Sequence, residues 1–511
     1  MNRVKLTAKC HPALRRLSGL LTLLMAASVC LLVPSETPVA GIAPLPLPAP
    51  VLYVPNDDDE NLPLEGDDLF ATLAADGLQP SELPEPQIIP RGQTQPTKTV
   101  SLPLRHDNSA SKYFPPIMQQ KGGSCAQASG IHYNFTYEMN LARGLDSKLP
   151  QNQYPDHWTW NCLNQAELKG SNYAKGWAVV KEIGVPTLDV YGDKFGMHAD
   201  AGWPSGYDKY YAAMKNRVDS YGSFPIKTPE DLQKIKRYLY NHDDPNQKVG
   251  GLLSFSMNFK GRKTVKIPAG SYEAGKQLVT KWGDSGGHAM TFIGYDDNIA
   301  FDVNGDGKIT NDKDLNGDGK ITLADWEKGA FIFANSHGTK SFDGGKGYVQ
   351  YRLVGIPKAD GGQNPSASWV KVKKDYQPRT TMLLRFKFED RAALQLTAGF
   401  ASGMDATKAN ATVQPGVYNG KFNVGKVPMR GKNNNEPIEI GIDLTDIAPE
   451  VAGKFFLHMG RKNGSEAKGE LMSAAIYRYD SQGMVVSVSN FSFLDGKFGD
   501  KSLDVALVAR K

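Results

Sequence analysis

Residues 42–100 hold eleven prolines in 59 positions, among them "PLPLPAP" and "PSELPEPQIIP", and carry a formal charge of −8. Proline fixes φ and lacks the N–H that helix and sheet ladders use, and a surplus of like charge resists collapse, so this stretch cannot form a packed core. It divides the chain. Ahead of it, residues 1–41 carry +4 and run from Arg3, Lys5, Lys9, Arg15 and Arg16 into the apolar "LSGLLTLLMAASVCLLV". That is the form of a secretory signal, with cleavage expected near Gly41, and the apolar run is short for a membrane span. Residues 101–511 carry +9 and have the length for more than one core. They lack the clustered Lys/Arg stripe of a nucleic-acid binder. The expectation is an exported protein (secreted, periplasmic or at a cell surface), without a transmembrane span once the signal at 1–41 is gone. Residues 42–100 would be an acidic pro-segment or linker.

Removal of the leader takes Cys10 and Cys30 with it and leaves two thiols, Cys125 and Cys162, which are either free or bonded to each other. After "KGGSC", the residues Ala128, Ile131, Phe135 and Met139 recur at helical spacing, which puts Cys125 in the first turn of a helix. Unpaired N–H groups and the helix dipole there favour a thiolate, although a lone cysteine is as readily a small buried hydrophobe. Further on, His288 opens an apolar strand in "GGHAMTFIGYDD" and Asn335 closes another in "FIFANSHG". Each alone reads as a structural residue or a turn. In the order Cys, His, Asn they meet a chemical need: a thiolate, an imidazole to shuttle its proton, and an amide to orient the imidazole.

The stretches "PPIMQQKGGSCAQAS", "GGHAMTFIGYDD" and "FANSHGTKSFDGGKGYVQY" together resemble the papain-like cysteine peptidases. The resemblance implies an α+β fold over residues 101–374, with a helical lobe carrying Cys125 and a β-barrel-like lobe carrying His288 and Asn335. It implies Cys125 as nucleophile, His288 as the base that forms an ion pair with it, and Asn335 as the orienting amide. Gln119, with the Cys125 N–H, would form the oxyanion hole, Gln120 being the neighbouring candidate. Gly170 and Ser171 would line the cleft. The sequence departs from the family at Gly122, where a disulfide cysteine is usual, at Ala126, where a Trp follows the nucleophile, and at His337, where a Trp shields the Asn–His contact. The implied activity is hydrolysis of protein or peptide substrates through an acyl-enzyme. Transpeptidation at the same site, an inactive binding protein and a calcium-dependent scaffold or adhesion protein are the alternatives.

His288 lies 163 residues after Cys125 and Asn335 lies 210 after it, against roughly 130 to 150 in papain-type enzymes. Most of the excess falls between His288 and Asn335, where "DVNGDGKIT" (302–310) is followed by "DLNGDGKIT" (314–322). Oxygens at positions 1, 3 and 5, then a glycine, then a hydrophobe at 8 suit a calcium loop, and both copies resemble dockerin or EF-hand loops. In the second, Asp314, Asn316, Asp318, the Lys320 carbonyl, Thr322 and Asp325 fill positions 1, 3, 5, 7, 9 and 12. In the first, Asp302, Asn304, Asp306, the Lys308 carbonyl and Thr310 do the same, but position 12 is Lys313, so Asp312 or Asp314 is expected to substitute. The insertion, 300–327, is thus expected to hold structural calcium; no organic cofactor is implied. Asn-Gly and Asp-Gly pairs also form metal-free turns.

From residue 375 the chain breaks into short alternating runs such as "MLLRFKFE", "IEIGIDL" and "AAIYRYD", bounded by Gly, Asn, Asp and Pro. These predict a C-terminal antiparallel β-sandwich over 375–511. Its one histidine, His458, reads as structural, and the domain's surface is a candidate for cell-surface or polysaccharide contact.

Overall fold

The structure is a computed structural model that describes residues 101–509, apart from 167–168, 193–201, 357–364, 423 and 450–451. The expectations for the leader and for residues 42–100 lie outside the described residues. The fold is α+β. Its first long helix, α1, begins at Cys125, with Ser124 as N-cap, and continues as Cys125–Gln127, Ala128–Phe135 and Thr136–Arg143. The middle segment is π-helical, and every one of its residues is buried. A widened turn of this kind is uncommon and concentrates near functional sites. Gly144, at φ 71°, ends α1 in the left-handed conformation that glycine tolerates best. Helices α2 (Asp156–Leu163) and α3 (Tyr173–Ile183) pack beside it, and Trp177 Nε1 donates to the Gly130 carbonyl at 2.8 Å.

The second half is built on one nine-stranded sheet: β1 (Arg105–Asp107), β2 (Arg217–Pro225), β3 (Leu253–Lys260), β4 (Lys263–Lys266), β5 (Gln277–Lys281), β6 (Ser285–Ala300), β7 (Lys328–Ala334), β8 (Lys346–Gln350) and β9 (Ser366–Lys373). Its order is β2-β9-β3-β6-β7-β8-β5-β4, with β1 on β6. All pairs are antiparallel except β5 with β8. Strand β6, sixteen residues long, is the spine. The Ser129 hydroxyl of α1 lies 2.8 Å from both the Met290 carbonyl of β6 and the Thr291 hydroxyl, which seats the helix on the sheet.

The C-terminal part forms two antiparallel sheets. One holds β10 (Thr380–Phe388), β13 (Ile438–Asp443), β15 (Gly469–Tyr479), β16 (Val485–Ser492) and β17 (Lys497–Phe498); the other holds β11 (Leu394–Ala401), β12 (Ala411–Val413), β14 (Gly453–Arg461) and β18 (Leu503–Ala509). Their inward residues, Leu384, Phe386, Leu396, Phe400, Ile440 and Leu457 among them, share one apolar core with Ile131, Trp158 and Trp177 of the helical half. Polar contacts cross the same joint. Trp203 N donates to the Met429 carbonyl at 3.0 Å; Arg217 pairs with Asp443 at 2.8 Å. Tyr211 of helix α4 (Tyr207–Met214) stacks on Tyr479 at 4.1 Å. Among the described residues no helix is long and apolar enough to cross a membrane.

Candidate active site

The start of α1 meets the start of β6. Cys125 is 4% exposed, and the backbone N–H groups of Ala289, Ala126 and Cys125 itself act on its sulfur in the sense that favours the thiolate. His288, the residue before Ala289 on β6, is fully buried. Its Nε2 lies 2.7 Å from Asn335 Oδ1. An amide oxygen is an acceptor only, so the neutral imidazole carries its proton on Nε2 and keeps the lone pair on Nδ1. Nδ1 is buried and has no hydrogen-bond partner among the described residues.

Asn335 follows the last residue of β7 and is fixed on all sides. Its Oδ1 also accepts from Ser336 N at 2.8 Å, its Nδ2 donates to Ser341 Oγ at 2.9 Å, and its carbonyl accepts from the Tyr133 hydroxyl at 2.7 Å. Tyr133 belongs to the π-helical turn of α1, so that turn ties the helix of Cys125 to the Asn335 backbone. Ser341 and Tyr133 carry no motif signal of their own.

Burial pushes the Cys125 thiol up, with the three N–H groups pulling it back down. Burial also drives His288 well below the ordinary imidazole range, followed by the neighbouring His337; Asn335 opposes this and Arg262 adds to it. In these dry surroundings burial alone works against a charged thiolate and a charged imidazolium, because both lose hydration.

His337 stacks on His288 with ring centroids 4.5 Å apart and planes 26° from parallel. It therefore covers one face of the imidazole. Burial and then Arg262 push it down to about 4. Phe259, at the end of β3, closes a further side, 4.7 Å from His288 and edge-on to His337 at 5.8 Å, and the Arg262 guanidinium lies 3.7 Å above the Phe259 ring. Sequence reading missed both, since they come from a separate strand.

Residues 118–120 run antiparallel to 336–338: Gln119 bridges His337, Gln120 N donates to the Ser336 carbonyl at 2.6 Å, and Gly338 N to the Met118 carbonyl at 2.9 Å. The two glutamines differ in use. Gln120 accepts from Ser336 Oγ at 2.5 Å and donates to the Gly122 carbonyl at 2.9 Å, so its amide is committed. Gln119 is exposed, and its amide oxygen lies along Gly338, only 3.3 Å from where a Cβ there would sit. Gly170 lies near the Gly123 carbonyl, just before Cys125. Ser171 is turned inward: its hydroxyl accepts from Gln127 Nε2 at 2.8 Å, and Gln127 in turn accepts from Thr159. A Cβ on Gly176 would fall 1.9 Å from that Gln127 amide. Cys162 is not bonded to Cys125; both are free and buried. A hollow of about 200 Å³ lined by Leu104, Lys236, Asp297, Asn311 and Trp326 lies away from Cys125.

At the far end of β6 and β7 stand the repeated loops. Asp302 accepts from Gly305 N and Gly307 N at 2.6 and 2.8 Å, and Asp314 repeats this with Gly317 N and Gly319 N, both at 2.7 Å. Asn304, Asp306, Asn316 and Asp318 each accept from the N–H two residues on. Asp325 closes the second loop, accepting from Leu315 N at 3.0 Å and Thr322 N at 2.8 Å. In the first loop the equivalent donors, Val303 N and Thr310 N, reach Glu327 instead, at 2.8 and 3.0 Å. Neither Asp312 nor Asp314 takes that place: Asp312 bonds Thr310 Oγ1, and Asp314 serves its own loop. A carboxylate seventeen residues past Thr310 lies outside any twelve-residue frame, which is why motif spacing missed it. The donors are the hard oxygens calcium takes. Among the described residues no group of three or more His, Cys, Asp or Glu side chains is gathered as a metal site.

No family model and no curated protein matches the chain. Among solved structures it is similar to xylellain, a cysteine protease from Xylella fastidiosa (16% identity, 55% of this chain and 90% of that one, TM-score 0.34). It is similar also to the bromelain protease from Ananas comosus (13%, 53% and 100%, 0.33) and to digestive procathepsin L 3 of Tenebrio molitor (13%, 54% and 71%, 0.33). Likenesses this low carry no functional argument; the geometry at Cys125 carries it.

Proposed function

We propose that the protein is a papain-like cysteine peptidase. The hydrogen bond of 2.7 Å between His288 Nε2 and Asn335 Oδ1, which leaves the buried Nδ1 without a hydrogen-bond partner among the described residues and able to take a proton, supports this reading best. As Cys125 Sγ attacks a peptide carbonyl, its proton passes to His288 Nδ1 and thence to the leaving amine, and water releases the acyl group by the reverse path. The Cys125 N–H and the Gln119 amide take the oxyanion. Proton transfer within a neutral pair needs no standing ion pair. Turnover does require the 4%-exposed thiol to be uncovered.

Secretion, periplasmic location or display at a cell surface remains part of this proposal, as does structural calcium in the two loops, with Glu327 completing the first from outside it and Asp325 the second from within. Calcium there would neutralise clustered carboxylates and brace the insertion; it takes no part in the cleavage step. The C-terminal sheets are proposed to contact a surface or polysaccharide.

The test is incubation of purified protein with casein and a fluorogenic peptide library under reducing conditions, beside the Cys125→Ala variant. Cleavage lost in the variant supports the peptidase; joined peptides among the products favour transpeptidation; no cleavage by either protein overturns the reading.

A further inference from the structure

The strands that end the three sheets are protected in different ways, with one exception. Strand β2 carries Arg217, Asp219 and Pro225, β4 carries Lys263 and Lys266, β18 carries Asp504, and β12 is only three residues long. The outer edge of β13 is covered: Glu439 N donates to Ser205 Oγ at 3.0 Å, and the Glu439 carbonyl accepts from Gly206 N at 3.1 Å. Charge, proline, brevity and a covering segment all keep an open row of N–H and C=O groups from pairing with another chain.

Strand β16, at the opposite end of the same sheet from β13, has none of these. From Ser481 to Leu494, "SQGMVVSVSNFSFL", there is no Asp, Glu, Lys, Arg or Pro. The strand is eight residues long, and among the described residues it pairs with β15 alone. Its one irregularity, between Val485 and Ser487, lies next to the turn that joins the two strands, and residues 487–492 keep regular register. One face is anchored, since Phe491 packs against the shared core. The other is bare. Tyr207 of α4 stacks on Tyr477 at 4.6 Å, and Val488 stands directly opposite Tyr477, so the helix layer reaches β15 and leaves Val488 41% exposed. Met484, Val485, Val486 and Leu494 are exposed beside it.

We propose that β16 is the seam of a two-fold dimer, in which a second copy of this chain adds its own β16 antiparallel and joins the two five-stranded sheets into one. The chemistry of the edge selects a copy over other partners. A charged segment placed there would lose hydration and meet no counter-charge. The same edge brings no charge, an equal row of open N–H and C=O groups, and valines to lie against valines, as a self-complementary contact requires. Eight residues at about 3.4 Å each give a seam of about 27 Å. That is at the low end of specific interfaces, so the dimer should be weak, with Kd on the order of 10 µM. It is independent of what Cys125 does.

Sedimentation equilibrium of the purified full chain from about 1 to 200 µM, a range that brackets this Kd, should show the mass approach that of two chains. Over the same range, hydrogen exchange of the outward-facing amides of 485–492 should slow about fivefold. The variant Val486→Lys, Val488→Lys and its counterpart Val486→Glu, Val488→Glu alter only exposed side chains, so each should keep the wild-type melting temperature and dimerise at least about tenfold more weakly, like charges now facing each other. An equimolar mixture of the two should associate again. A wild-type chain that stays monomeric throughout, leaving the edge to a strand of some other protein, overturns the proposal. So does a dimer that both variants preserve, or one whose slowed amides lie outside 485–492.

Discussion

The two ends of the β6–β7 hairpin, joined by the same pair of strands, solve opposite problems. At one, near the pairing of Thr291 with Ala334, His288 and Asn335 are fully buried and bond side chain to side chain. At the other, beyond the pairing of Ala300 with Lys328, half-buried Asp302 and exposed Asp314 bond to backbone N–H groups of their own loops. The buried end holds a proton-transfer group by excluding water; the wet end concentrates charge where hydration tolerates it. Nearly a strand's length separates them. The insertion therefore extends the hairpin away from His288 and Asn335, and the two ends are expected to fail independently.

The largest effect should come from the dry end. Cys125→Ala is expected to lower peptide hydrolysis by at least about a thousandfold, whereas Asp314→Ala, assayed well below its melting temperature, should stay within about twofold. A comparable loss from both would mean that the ends are coupled. Next, Gln119→Ala should lower kcat by about a hundredfold as an oxyanion donor is lost. Gln120→Ala should act mainly on the melting temperature, since its amide holds Ser336 to Gly122. A reversal of those two results would move the oxyanion role by one residue.

At the wet end, calcium should raise the melting temperature by an amount that grows with its concentration over Kd, and a chelator should reverse the rise. Glu327→Gln and Asp325→Asn are each expected to remove part of this response, on the order of 2–4 °C, measured by thermal denaturation with and without calcium. A response kept whole in Glu327→Gln would return the first loop to a simple turn. The smallest effect concerns His337. In the folded protein it is pushed down to about 4 from 6.5, so between those values the folded state binds fewer protons than the unfolded one, and stability falls as pH falls from 6.5 toward 4. His337→Gln should flatten that part of a melting-temperature profile and leave the profile above pH 6.5 unchanged; an unaltered slope would assign it to His288 and His132, both also lowered.

What could be read in advance followed from what is local. Cys125 at a helix start, His288 and Asn335 at strand ends, and the oxygens of the second loop each sit in a short pattern that names its own conformation. Glu327, Phe259 with Arg262, and Tyr133 entered from other strands or another helix, and no window of sequence contains both partners. The C-terminal runs were legible as strands because they alternate, but their sharing of a core with Trp158 and Trp177 depends on surfaces that alternation does not describe. The charge state of Cys125 and His288 was not legible for a related reason: it depends on how much water the finished fold excludes and on groups such as Ala289 N–H and Phe259 that other strands bring up.

The core that runs unbroken from α1 into β10, β13 and β15 also sets an order of events during synthesis. Thr380, where β10 begins, leaves the ribosome 255 residues after Cys125, and contacts so distant in sequence form late. A nascent chain that has not reached it carries the thiol without the packing that seats the thiol's helix. On the peptidase and export readings proposed above, unfinished forms of the chain are unarmed, and a chain passed unfolded through an export channel would reach the far side before it could harm the cell that made it.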